Sequence, residues 1–259
     1  MPNVQLIDYT RDAAAKLIFT KATRLNMTAG LFEEIQRKCY KPQSNLCQFP
    51  DFPDDPVLTE WAMQELSYMA KTIPSSWEFV HFSFLLTEVT RAATHQIVRT
   101  RHGSYAQQTM RMVNMDQFTY EVGPTIKAHQ QARFIYDQCM GQISAAYAQL
   151  IALGIPPEDA RGVLPTNIHT NIVCGYSLRT LSELCKSRTG GRTQGEYASI
   201  VNMMADAVLA VYPWAEMFLF PLGRHSFEAI EACAAEVKKT NPKLAYDALK
   251  EIDLLRKEG

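Results

Sequence analysis

Hydrophobic and polar positions change period several times along the chain, and each change predicts an element. Val4 to Tyr9 alternates apolar and polar residues and is rich in strand formers, which predicts a short first strand. Thr10 then stands as an N-cap, and Asp12 to Leu25 carries alanines and apolar residues at helical spacing. A second helix is predicted over Thr28 to Cys39, with Thr28 capping it. A third runs from Val57 to Lys71, where Leu58, Trp61, Leu66 and Met69 form an apolar stripe for the core. Between these two, Lys41 to Pro56 is crowded with Pro, Asp, Asn and Phe and reads as an ordered loop or a lid. Phe79 to Glu88, in which Phe82-Ser83-Phe84 alternates, predicts a strand leading into a helix from Thr90 to about Val98.

After a turn at Gly103-Ser104, Tyr105 to Val113 reads as a strand, and its period of two puts Gln107, Thr109 and Arg111 on one face. Pro124 to Leu153 reads as one long amphipathic helix, with Ile126, Ala132, Ile135, Met140, Ile143, Tyr147 and Leu150 recurring and Gly154 stopping it. Pro156-Pro157-Glu158-Asp159 starts a short helix ending near Arg161. Asn167 to Gly175 is a predicted strand, and Ser177 caps a helix through Arg188 that Gly190-Gly191 breaks. Helices are further expected over Glu196 to Val211, Ser226 to Lys239 and Lys243 to Lys257, with Trp214 to Leu222 as an apolar connection. No repeat, low-complexity tract or linker divides the chain, so the pattern predicts a single α+β domain over residues 1–259.

Composition adds a contrast to this picture. Apolar residues make up 47% and charged residues 20%, ordinary for a globular protein, and the net charge is −1. Yet Val89 through Met115 contains no acidic residue and no lysine but four arginines, Arg91, Arg99, Arg101 and Arg111. Such a segment cannot neutralise itself. Arginine stays charged and presents a planar fork suited to phosphates and carboxylates, so the block reads as an anion-binding surface or as a basic helix end neutralised by neighbours. The mild net charge argues against a general nucleic-acid binder. The N-terminus has no basic region followed by an apolar run, and no stretch of about eighteen apolar residues occurs, so a cytoplasmic chain is expected, neither secreted nor membrane-spanning. Six scattered cysteines form no C-x-x-C pair and have no histidine at zinc-like spacing, and His81, His129, His169 and His225 are isolated. No metal is assigned.

With the arginines placed on a helix end, a turn and a strand, two blocks of residues stand out. Glu78-x3-Phe82-Ser83-Phe84, followed by Thr90-Arg91-Ala92-Ala93-Thr94-His95-Gln96-Ile97-Val98-Arg99-Thr100-Arg101-x2-Ser104-x4-Thr109-x-Arg111, resembles the signature of the flavin-dependent thymidylate synthases. That family's pattern runs Gln-x-x-Arg-His-Arg-x-x-Ser, then Ser-x-Arg. Arg161-x2-Leu164-Pro165, Thr170, Leu178-Arg179-x-Leu181, Arg188 and Gln194-x-Glu196 resemble its second block in order and spacing, so the likeness covers roughly residues 4 to 211. It implies a central, mostly antiparallel sheet flanked by helices, a homotetramer, and FAD, NADPH and methylenetetrahydrofolate as cofactors. The implied reaction is reductive methylation of dUMP at C5 to dTMP, without a cysteine nucleophile. By the same resemblance, Gln96, Arg99, the Gln107-Gln108-Thr109-Met110-Arg111 run and Arg161 hold the nucleotide, chiefly its phosphate. Arg188 sits by the pyrimidine and favours ionisation at N3, a role that suits a guanidinium that never loses its proton. Ser75, Arg99, Thr100, Arg101, Gln107, Ser177, Arg179 and Glu183 line the flavin.

The chain departs from the family pattern chiefly on the cofactor side. Thr100 replaces the middle His, Ser177 stands where Asn is usual, Ile73 where a His is common, Met112 where Tyr is frequent, and Gly195 where Trp follows Gln194. Three further readings therefore stay open. The fold could carry a neighbouring alkylation, such as C5 hydroxymethylation of a pyrimidine nucleotide. It could bind nucleotides or single strands without catalysis, with Tyr105 as a stacking ring. It could use Cys174 or Cys185 as a nucleophile, although neither has a context that lowers a thiol pKa.

Overall fold

The computed structural model describes residues 2–25, 30–41, 58–188, 195–221, 234, 236–238 and 240–258. The predicted Thr28 cap, most of the Lys41 to Pro56 loop, the Gly190-Gly191 break, Gln194 and most of the Ser226 to Lys239 helix lie outside the described residues. In chain order the elements are β1 (Asn3–Tyr9), α1 (Ala13–Ala22), α2 (Leu31–Cys39), α3 (Glu60–Thr72), β2 (His81–Thr90), α4 (Arg91–Ile97) and β3 (Ser104–Gln107). They continue as α5 (Pro124–Lys127), α6 (Gln130–Ala152), α7 (Pro157–Ala160), β4 (His169–Ser177), α8 (Leu178–Arg188), α9 (Gly195–Val211), α10 (Glu216–Leu219) and α11 (Pro242–Glu258). The fold is α+β.

The strands form a four-stranded antiparallel sheet in the order β1-β2-β4-β3. Alternation is what pairs them: Phe82, Phe84 and Leu86 of β2 and Thr170, Ile172, Cys174 and Tyr176 of β4 are buried at every second position. Hydrogen bonds at the strand ends set the register. Thr10 N–H donates to the His81 carbonyl at 2.9 Å, Leu178 N–H to Val80 at 2.7 Å, and Gln108 N–H to Asn171 at 2.9 Å.

By internal contacts the chain divides into two compact units, Met1–Asn3 with Leu85–Cys174, and Val4–Phe84 with Gly175–Gly259. In the first, Met115, Tyr147, Ala160 and Ile168 make a buried cluster that Met110, Phe118 and Leu164 close over. The Tyr147 hydroxyl in this cluster accepts the Met115 N–H at 3.1 Å. In the second, Trp77 and Phe218 meet edge to face with ring centres 5.1 Å apart, and the Trp77 indole N–H donates to the Met69 carbonyl at 3.1 Å.

Several predicted boundaries are corrected. Thr10 does not cap α1: its hydroxyl accepts the His81 N–H at 2.9 Å and its own N–H donates to the His81 carbonyl, so both are taken by β2, and Asp12 enters the helix with a left-handed φ of 52°. The predicted long helix from Pro124 is two, α5 and α6, because the His129 ring nitrogen accepts the Ala132 N–H and starts a new helix. Of the α3 stripe, Leu66 and Met69 are buried but Trp61 is 37% exposed, while Leu58 precedes the helix and bridges Tyr40. Trp214 to Leu222 is not a plain connection: Pro213–Ala215 is a 3-10 turn and α10 follows it. Ser177 and Gly154 act as predicted, the first capping α8 and the second ending α6 with φ 80°, while Thr90, predicted as the first helical residue, is the N-cap of α4.

Tyr147→Phe removes the acceptor of a buried backbone N–H without changing side-chain shape. It should cost about 1–3 kcal/mol, read as a lower urea midpoint at unchanged m-value. An unchanged midpoint would mean that the Met115 amide finds water instead.

Candidate functional site

In the first unit the site starts at the junction of β2 and α4. Glu88, the last acid before the arginine block, has a left-handed φ of 55°, and the chain turns there into Thr90 and Arg91. The Thr90 hydroxyl accepts the Ala93 N–H at 3.0 Å, while Arg91 N–H and Ala92 N–H donate to the carbonyls of Ile168 and Thr166. Helix and sheet therefore share one anchor. The Arg91 side chain runs inward, with Nη2 donating to the Gln108 carbonyl at 2.9 Å, and its buried Nε has no partner among the described residues. Burial first, and the charge of nearby Arg161 second, hold the Arg91 guanidinium below its ordinary pKa. It stays protonated, since the arginine range lies so far above neutrality.

Glu158 completes the arrangement. Its side-chain Oε2 takes Nε and Nη2 of Arg111, both at 3.1 Å, and its backbone carbonyl accepts Arg161 Nε at 3.1 Å. Arg111 and Arg161 thus share Glu158, while Arg91 holds the Gln108 carbonyl and feels the charge of Arg161, and among the described residues neither Arg91 nor Arg161 pairs with a carboxylate. Two guanidiniums drawn close without a counter-ion, one with a buried donor unused, are chemically a receptor for a multivalent oxyanion.

The remaining predicted residues of this unit fall around that cluster. Gln107 Nε2 donates to the Thr94 hydroxyl at 3.0 Å, and Gln96 closes the last turn of α4 by accepting the Arg99 N–H. Arg99 and Arg101 are exposed, and the carbonyl of Thr100 accepts the Tyr105 hydroxyl at 2.6 Å. The expectation that Gln107, Thr109 and Arg111 share one strand face is corrected: β3 ends at Gln107. Met110 turns into the apolar cluster, and the Thr109 hydroxyl accepts the Arg111 N–H at 3.2 Å, a local bond that replaces the ladder.

In the second unit, Ser75 lies in a 3-10 segment, Pro74–Phe79, where its hydroxyl accepts Arg24 Nη2 at 2.7 Å. It lines a cavity of about 580 Å³ with Lys16, Phe19, Thr20, Arg24 and Phe79. Arg179 is gripped by two carboxylates, Glu78 at 2.7 Å and Glu183 at 3.3 Å. Ser177 is buried and its hydroxyl caps α8. Arg188, the last residue of α8, is exposed and lies over the Tyr197 ring, 5.9 Å from its centre. Cys185 here, and Cys174 in the first unit, are buried, unlike accessible nucleophiles.

Sequence reasoning missed Arg91 and Glu158 as site residues, and Glu78 as the partner of Arg179. Arg91 lay in the acid-free block, but only its burial separates it from the other arginines there. Glu158 had read simply as a favourable acid in a helix's first turn.

The family model described as thymidylate synthase complementing protein matches residues 5–214, and the chain belongs to that family. It is similar to the flavin-dependent thymidylate synthase of Clostridium tetani, 34% identical over 152 residues, covering 52% of this chain and 61% of that protein. The namesakes from Geobacter sulfurreducens, 34% identical over 138 residues (52% and 60%), and Saccharolobus solfataricus, 32% over 133 (51% and 51%), match to a similar degree. The chain spans between half and three fifths of the length of these relatives.

Replacing Arg91 by Gln should weaken binding of a multivalent oxyanion, with inorganic phosphate as the probe, by roughly ten- to a hundredfold, the loss of hydrogen bonds to a charged group. Glu158→Gln releases Arg111 from its exposed ion pair and should tighten binding at low salt by no more than about fivefold. Calorimetric titration reads both. Equal affinity in wild type and Arg91→Gln would remove Arg91 from the site.

Proposed function

We propose that this chain binds dUMP and, with FAD, methylenetetrahydrofolate and NADPH, methylates it reductively at C5 to give dTMP. The carrying observation is the half-buried, uncompensated Arg91 beside Arg161 in a member of this family. A nucleotide phosphate supplies the charge these guanidiniums lack, with Arg111 joining once it leaves Glu158. Gln96, Arg99, Gln107, Gln108 and Thr109 complete the nucleotide's surroundings in this reading, and Met110 anchors the turn that carries them.

A flavin fits the residues present. The cavity beside Ser75 carries Lys16 and Arg24, neither paired with a carboxylate among the described residues, together with the Phe19 and Phe79 rings, a donor set for a diphosphate joined to an aromatic base. Arg99, Thr100, Arg101, Ser177, Arg179 and Glu183 are the chain's other contributions to the flavin's surroundings. When bound and reduced, the flavin supplies a hydride. Arg188 is the catalytic residue: its N–H donors stabilise negative charge developing on the pyrimidine without transferring a proton. The chain works in the cytoplasm as a single family domain. It assembles as a homotetramer, for which the exposed Phe134 and Ile135 on α6 offer a surface that a second copy would cover. No helix among the described residues is long and apolar enough to cross a membrane.

Purified protein should be yellow or take up added FAD, and NADPH should bleach it. Mass spectrometry of the product from dUMP and methylenetetrahydrofolate should show a methyl group at C5, whereas a hydroxymethyl mass would assign the neighbouring reaction. Arg188→Ala should abolish turnover with folding intact. A colourless protein that takes up no flavin would overturn the reading. For assembly, Phe134→Asp should lower the sedimentation coefficient from that of a tetramer.

A further inference from the structure

Arg188 poses a problem that its neighbours solve in an unusual way. A long side chain at the exposed end of a helix has many rotamers, and fixing it costs entropy that scales with its four torsions. Arg179, the other arginine on α8, is fixed by Glu78 and Glu183, which occupy its Nη1 and Nε donors. Arg188 has no such carboxylate among the described residues. What it has is the Tyr197 ring, 2% exposed, on the buried face of α9 among Ile200, Val201 and Met204. The ring centre lies 5.9 Å from the guanidinium carbon, within reach of a cation–π attraction.

The two ways of holding an arginine have opposite chemical consequences. A carboxylate binds edge-on, takes up in-plane N–H donors and cancels the charge. An aromatic face attracts the cation through its quadrupole and leaves every N–H free for another acceptor. For a residue that must offer donors to a pyrimidine, only the second kind of support is compatible with the task. The support is also rigid, because Tyr197 is packed into the second unit's core.

We infer that Tyr197 is a positioning residue for Arg188, holding its guanidinium by the ring face while leaving its hydrogen-bond donors available to substrate. This rests on the reading of Arg188 as the catalytic residue, and the test separates the two. Tyr197→Leu should lower kcat about five- to tenfold with little change in the KM for dUMP, since donors that align only in the transition state act on kcat. Tyr197→Phe, which keeps the ring, should rescue most of that loss. The Arg188 Nε–H resonance in selectively labelled protein gives a readout independent of turnover. It should move downfield in Tyr197→Leu as the ring current is lost and stay near its wild-type position in Tyr197→Phe. The urea midpoint identifies any variant that is merely unfolded. A resonance that does not move in folded Tyr197→Leu overturns the positioning role. So does an unchanged kcat in that variant when Arg188→Ala is inactive. Full activity of Arg188→Ala instead overturns the catalytic reading and leaves the resonance to decide the positioning alone.

Discussion

A positive charge that meets no carboxylate among the described residues, held half out of water beside another of the same sign, is the constraint around which the first unit is built. Arg91 loses hydration on burial and gains repulsion from Arg161, and its Nε has no partner among the described residues. Such a group persists only where the surroundings leave it no alternative. Here the Thr90 cap, the amide bonds from Arg91 and Ala92 to the chain before β4, and the Gln108 carbonyl together fix both backbone and side chain. The stability this forgoes is offset by ordinary apolar packing nearby, around Tyr147 and Ile168. A guanidinium held in this way has the chemistry of an anion receptor.

How much of this was readable in the residues depended on whether the governing force is periodic or local. Strands β2 and β4 follow from alternation, because burial on one face acts at every second residue. The helix starts at Thr90 and Ser177 follow from a hydroxyl placed where orphan amides need it. The break between α5 and α6 was invisible, since apolar spacing runs straight through it and the cause is one histidine ring turned onto one amide. The end of β3 was hidden for a related reason: Met110 could alternate as well as any strand residue, and a distant apolar cluster captures it. Charge content marked the arginine block as a whole, but Arg91 differs from Arg99 and Arg101 only by burial, which is a property of the folded state.

The departures from the family pattern gain a physical meaning from the same coordinates. Ile73 is buried at the turn between α3 and the 3-10 segment, and Ser177 is buried with its hydroxyl on an amide of α8. At both positions the atoms present serve the fold's own packing and capping. Thr100 differs: it is half-buried, and its carbonyl, not its side chain, takes the Tyr105 hydroxyl, so the turn after α4 is held by an interaction indifferent to the side chain at 100. That indifference explains how the turn keeps its shape whatever residue stands there.

The shortness of α4 has a consequence of its own. At about 1.5 Å per residue, its seven residues make a rod of roughly 10 Å, fastened at one end by the Thr90 hydroxyl and at the other by the Gln96 carbonyl. Arg91 and Arg99 stand just inside and just beyond those fastenings, so their separation is a gauge length set by covalent geometry. An insertion or deletion of one residue between them would turn one arginine by about 100° relative to the other. Exposed positions such as His95 can be exchanged along this rod, whereas the buried Ala93, Thr94 and Ile97 are tied to the packing and the count is tied to the arginines.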